Sequence, residues 1–140
     1  MVYVKENISF INALPIKSVS NISFFERIMK YKFPTEYVSF IKENNGCMPI
    51  PKMIQTSVKE RSVHRFLSFN PDDKLNIFSF NKNNIASEYI AFACDELGNC
   101  FCFCKNSENI YYFDNMEICN NKYTGELIAD SFSEFLTKLN

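Results

Sequence analysis

The chain has 140 residues, 46% of them hydrophobic and 22% charged, a balance that suits about one globular domain of ~100–150 residues and excludes a disordered tail. Its three glycines, Gly46, Gly98 and Gly125, stand too far apart for a phosphate-cradling loop or a dinucleotide fingerprint, and a single histidine excludes a His-rich zinc site. The net charge of −1 hides an asymmetry: residues 1–69 carry ten of the fifteen Lys and Arg but five of the sixteen Asp and Glu, a net of +5, leaving −6 on residues 70–140.

Taken in chain order, Val4, Ile8 and Ile11 recur at i, i+4 and i+7, which predicts a short amphipathic helix before Pro15. Ser23 and Glu26 have capping-box spacing, and Ile22, Phe25, Ile28 and Met29 recur at helical intervals. Pro34 suits the first position of a second helix, where a missing N–H costs nothing. Tyr37, Phe40 and Ile41 form its stripe, and Gly46 supplies the left-handed residue that ends it. Residues 47–62, with Pro49 and Pro51, read as loop with room for an edge strand. Val63 to Phe69 reads as a strand apolar on both faces, and Asn70-Pro71-Asp72-Asp73 as the start of a helix reaching about Asn81.

From Tyr89 the pattern becomes sheet. Tyr89 to Cys94, Cys100 to Cys104 and Ile110 to Phe113 form an antiparallel meander, with Gly98 supplying the positive φ of the first turn. Asp130 or Ser131 caps a closing helix whose stripe is Phe132, Phe135, Leu136 and Leu139. The order predicts one α+β domain, residues 1–140, with helices packed mainly on one face of an antiparallel sheet.

Six cysteines, four of them at Cys94, Cys100, Cys102 and Cys104, raise metal and disulfide chemistry. In a strand Cys100, Cys102 and Cys104 share one face and Phe101 and Phe103 the other. Thiols standing side by side do not converge on an ion as ligands from a C-x2–4-C turn do. They read as small core hydrophobes rather than metal ligands or redox groups, and no cofactor is implied. No apolar run approaches the ~18 residues of a membrane span, and Lys5, Glu6 and Asn7 interrupt any signal-peptide core, which points to the cytoplasm and reduced thiols.

Several fragments fit one pattern. Ile22-x-x-Phe25-Glu26, Phe33-Pro34-x-Glu36-Tyr37-x-x-Phe40-Ile41 and Asn44-Asn45-Gly46 resemble the opening of the SUKH superfamily, of SMI/KNR type. Ile90-Ala-Phe-Ala-Cys-Asp95-x-x-Gly98-Asn99 is similar to its hairpin. Tyr111-Tyr112-Phe113-Asp114 and Ile128-Ala129-x-Ser131-Phe132-x-x-Phe135-Leu136 resemble its last strand and closing helix. The likeness spans residues ~20–139 in order, with Phe33 in place of the usual Leu and Cys47 in place of a second glycine. It implies a bacterial immunity protein, a non-catalytic inhibitor that binds a cognate toxin, many such toxins being nucleases. An intracellular protein-interaction scaffold of the same fold is the alternative it implies.

No catalytic residue is assigned, because His64 has no accompanying nucleophile motif. Without a basic stripe or a strongly basic pI, direct nucleic-acid binding is disfavoured, as is a membrane. The acidic second half suits a basic protein surface, so the expected partner is a basic toxin domain encoded beside this gene, met by a monomer or weak dimer. The candidate toxin-contacting residues are Asp72 and Asp73, Asp95 and Glu96 at the hairpin tip, and Asp114 with Glu117 after the last meander strand, carboxylates able to mimic phosphates. Each has a plainer role open to it, capping a helix or solvating a turn. Tyr111 and Tyr112 point to opposite faces, which leaves one to anchor an interface.

Overall fold

The computed structural model describes residues 7–82, 87–114 and 125–140. Its first element is a strand, β1 (Ser9–Ile11), and not the helix expected from Val4, Ile8 and Ile11; Val4 lies outside the described residues. The β-branched residues fit an extended segment, and β1 pairs antiparallel with β2 (Met48–Ile50). Extension lets Phe10 set its ring edge-on to Phe40 at 4.9 Å.

Helix α1 (Ser20–Met29) starts ahead of Ser23, so the expected capping box does not form. Ser23 Oγ instead donates to the Ser20 carbonyl, and the Glu26 carboxylate accepts the Phe33 N–H at 2.8 Å, tying α1 to the entry of the next helix. Ile22, Phe25 and Met29 are buried as the spacing predicts, whereas Ile28 stays 38% exposed. Helix α2 (Thr35–Asn44) begins one residue after Pro34, which occupies the cap position, and it buries Tyr37, Phe40 and Ile41. Gly46 follows with φ +67°, and a Cβ there would stand 3.1 Å from Leu14.

The expected loop of residues 47–62 holds β2 and a second pair, β3 (Met53–Gln55) with β4 (Glu60–Ser62). Only β5 (Arg65–Phe66) of the predicted 63–69 strand pairs as a strand, although Val63, Phe66, Leu67 and Phe69 are all buried. Asn70 to Asp73 does not start a helix. The side chains of Asn70 and Asp73 hold the chain in a turn, and the one-turn helix α3 (Ile77–Phe80) begins later, where Asn76 Oδ1 accepts the Ser79 N–H at 2.8 Å.

The expected meander forms: β6 (Tyr89–Cys94), β7 (Cys100–Cys104) and β8 (Ile110–Phe113) are antiparallel neighbours. Two strands extend it to the order β5-β6-β7-β8-β9, the last being β9 (Glu126–Ala129). Helix α4 (Phe132–Thr137) closes the fold, its first turn capped by Ser131 Oγ accepting from the Glu134 N–H at 3.1 Å. Strand alternation turns Phe92, Phe101 and Phe103 toward the helices. Phe103 meets Tyr37 of α2 at 4.9 Å, and Phe92 meets Phe135 of α4 at 5.3 Å. Tyr112 shares that face beside Phe101, while Tyr111 lies half-buried on the other face against Tyr89.

Cys94, Cys100, Cys102 and Cys104 are buried free thiols, as core packing requires, and so is Cys47. Burial pushes the Cys100 thiol up to about 12. Among the described residues no helix is long and apolar enough to cross a membrane.

Candidate functional site

The sheet brings distant segments to one end. Arg65 at the start of β5 pairs with Cys94 at the end of β6, and the His64 N–H donates to the Cys94 carbonyl at 2.8 Å. Cys100 opposite Phe113 puts Asp114, just past β8, at the same end as the β6–β7 turn. The loop 70–75 returns to this end through Ser68, whose N–H donates to the Leu75 carbonyl at 2.9 Å. Between the loop and the turn lies a groove of about 660 Å³, lined by Gly46, His64, Arg65, Asp73, Lys74, Asp95 and Glu96.

A buried asparagine holds the groove's walls together. Asn45 Nδ2 donates to the Leu14 carbonyl at 2.7 Å and to Ser68 Oγ at 3.0 Å, while its Oδ1 accepts the Phe69 N–H at 2.9 Å. Ser68 Oγ donates onward to Asp73 at 2.6 Å, and Asn70 Nδ2 donates to the same carboxylate oxygen at 3.0 Å. Asn70 also reaches back to the Pro15 carbonyl at 2.9 Å and accepts the Lys17 N–H at 2.8 Å. The segments 14–17, 45–46 and 68–73 are thereby one hydrogen-bonded unit.

The predicted acids occupy different settings. Asp95 organises the hairpin: its Oδ1 accepts the Leu97 and Asn99 N–H groups, both at 2.9 Å, and its Oδ2 accepts the Asn99 amide at 3.1 Å and the Tyr112 hydroxyl at 2.8 Å. Gly98 completes this turn at φ +85°. Glu96 accepts from Lys52 Nζ at 2.6 Å and from Ser62 Oγ at 3.1 Å, and the lysine hydrogen bond holds its carboxyl down at about 2. Asp72 is open, its side chain 84% exposed and 3.6 Å from Lys17. Asp114 is exposed at the sheet end, and Glu117 lies outside the described residues. Asp73, Asp95 and Glu96 therefore meet in one groove, with Asp72 on the same loop and Asp114 on the neighbouring strand end.

Behind the hairpin, Arg61 lies 4.3 Å over the Tyr112 ring and pairs with Glu126 at 2.9 Å, both side chains largely buried. Tyr112 is thus the buried tyrosine of the pair. It connects the Asp95 turn to the β4–β9 ion pair.

In the sequence His64 reads only as a lone base, and Arg65 and Lys74, which share the groove, belong to no motif. No local signal marks them, since their proximity comes from strand register and loop closure. Cys94 also lines the groove near His64, but among the described residues no hydrogen bond joins its thiol to the His64 ring. Burial pushes the Cys94 thiol up to about 12, so at neutral pH it is protonated and a poor nucleophile.

A helix-backed antiparallel sheet is the architecture that the sequence fragments imply. Residues 18–138 match the SMI1 / KNR4 family (SUKH-1), and the chain belongs to that family. No curated protein matches the chain significantly.

Proposed function

We propose that this protein is a non-catalytic immunity protein, a single cytoplasmic domain that binds a cognate toxin domain one to one and blocks it. One observation carries the reading: Asp73, Asp95 and Glu96, from segments far apart in sequence, line one groove at the end of a rigid sheet. Loops held by a scaffold are where binding surfaces usually lie. Membership of the SUKH-1 family supports the same reading by analogy of fold. With Asp72 and Asp114 beside the groove, this end presents carboxylates to a basic surface such as a nuclease's phosphate-binding cleft.

The test is binding of the product of the neighbouring gene, measured kinetically at several salt concentrations. Charge steering acts on association and is screened over ~8 Å at physiological ionic strength, so association slows with salt while dissociation changes less. Asp72→Asn neutralises an exposed acid without touching the hairpin's internal bonds and lowers the salt slope, and Asp114→Asn tests the neighbouring strand end in the same way. Binding indifferent to salt and to both changes removes the electrostatic part. A neighbouring product that does not bind leaves the interaction-scaffold reading in front.

A further inference from the structure

The hydrogen-bonding capacity of the groove is lopsided. A carboxylate offers about four lone-pair sites. Asp95 fills its own with two backbone N–H groups, the Asn99 amide and the Tyr112 hydroxyl. Glu96 Oε2 is engaged by Lys52 and Ser62, and Asp73 Oδ2 by Ser68 and Asn70, so one oxygen of each carboxylate is the acceptor capacity left in the groove. The donors are in the opposite state. Arg65 gives one hydrogen bond, from Nη1 to the Gly46 carbonyl at 2.8 Å, which leaves most of its five N–H groups uncommitted. Among the described residues neither the His64 ring nor the Lys74 ammonium has a hydrogen-bond or ion-pair partner.

Net charge does not choose the occupant. Glu96 is neutralised by Lys52, and Asp73 and Asp95 are matched by Arg65 and Lys74. What remains is directional: more free N–H donors, on Arg65, Lys74 and His64, than free acceptors, in a concavity that shields them in part from water, where charge-assisted bonds are roughly twice as strong as neutral ones.

We propose that the groove receives a carboxylate side chain from the protein partner, hydrogen-bonded by Arg65, Lys74 and His64. Leu14 and Leu75 line the same groove, and Leu97, 84% exposed, stands between the lining residues Glu96 and Gly98. The occupant is therefore an acidic residue flanked by an apolar one. The inference rests on the proposed binding role of this end of the sheet and adds a contact of opposite sign: exposed Asp72, outside the groove lining, meets a basic surface, and the groove itself takes an acid. Alternating signs set the register of a complex and penalise wrong partners by like-charge contact.

The test uses the full chain and two capped tripeptides, Leu-Glu-Leu and its isosteric control Leu-Gln-Leu, followed by NMR of backbone amides. The glutamate peptide gives saturable shifts at Arg65, Lys74 and Leu97 and binds at least ~10-fold more tightly than the glutamine peptide, equivalent to one good charge contact. Lys74→Glu, at an exposed side chain that holds nothing else in place, abolishes the preference. Preference below about twofold, shifts that saturate elsewhere, or no saturation with either peptide overturns the proposal. Peptide preference without binding of the neighbouring gene product removes the toxin reading alone. Binding of that product without peptide preference removes the carboxylate anchor alone.

Discussion

Between the sheet and helices α2 and α4, rings meet rings at 4.3 to 6.3 Å, from Phe92 against Phe103 to Phe66 against Phe132. At the hairpin end, the backbone is held instead by Asn45, Ser68, Asn70, Asp73 and Asp95, each bonded to groups far away in sequence or across a turn. The ring layer gains from area removed from water and from close packing, which are non-directional. The groove end depends on donors and acceptors that must each find a partner once buried. A core of the first kind tolerates any ring that fills the space. A site of the second kind keeps loops and charges where a partner can meet them.

The largest expected effect falls in the ring layer. Phe132 packs against Tyr37, Phe40, Phe66, Phe92, Phe103 and Phe135, and Phe132→Ala costs about 3–5 kcal/mol in denaturant melts. A loss under about 1 kcal/mol would show that the layer repacks around the cavity. Next comes the asparagine hub. Asn45→Ala strands the buried Phe69 N–H and costs about 1–3 kcal/mol, with faster hydrogen exchange across residues 68–73. If exchange rises no more there than elsewhere, Asn45 is not what joins the groove's walls.

Tyr37 brings a polar atom into the wrong region. Its buried hydroxyl has no hydrogen-bond partner among the described residues, so Tyr37→Phe is neutral or stabilising by up to about 1 kcal/mol. A clear loss of stability would mean that the hydroxyl bonds to a buried water.

The smallest effect is at the rim. Glu96 ionises at about 2 in the folded chain against an ordinary 4.5, and a depressed folded value stabilises above the unfolded one. The Lys52–Glu96 contribution is therefore present at pH 7 and disappears as pH falls from about 4.5 towards 2. The pair is well exposed and worth less than about 1 kcal/mol, so Glu96→Gln melts slightly earlier than the parent at pH 7 and together with it near pH 2. A gap that persists at the acid end would assign the effect to something other than the ion pair.

The ring layer was largely legible in the sequence. Tyr37, Phe40 and Ile41 repeat at helical spacing, Phe101 and Phe103 at strand spacing, and Phe132, Phe135 and Leu136 again at helical spacing, and all are buried. Periodicity works there because each residue's direction follows from its own element. It misleads where partners are remote. Ile8 and Ile11 keep a helical interval but belong to a strand segment, because β2 and Phe40 lie opposite. Asp72 and Asp73 have the look of a helix start, yet Ser68 and Asn70 draw Asp73 into a turn.

The acids of the hairpin tip were visible as turn residues, but their occupancy was not. That Asp95 is filled by Tyr112 and Asn99, and that Lys52 reaches Glu96 across 44 positions of sequence, follow from strand register and loop closure. The convergence of His64, Arg65 and Lys74 beside them has the same origin. Sequence alone determined which faces of the helices and strands are apolar, since hydrophobic burial is non-directional and is written in local spacing. Only the tertiary structure decided which polar groups are already satisfied and which still face a partner, because a hydrogen bond needs both of its ends in place.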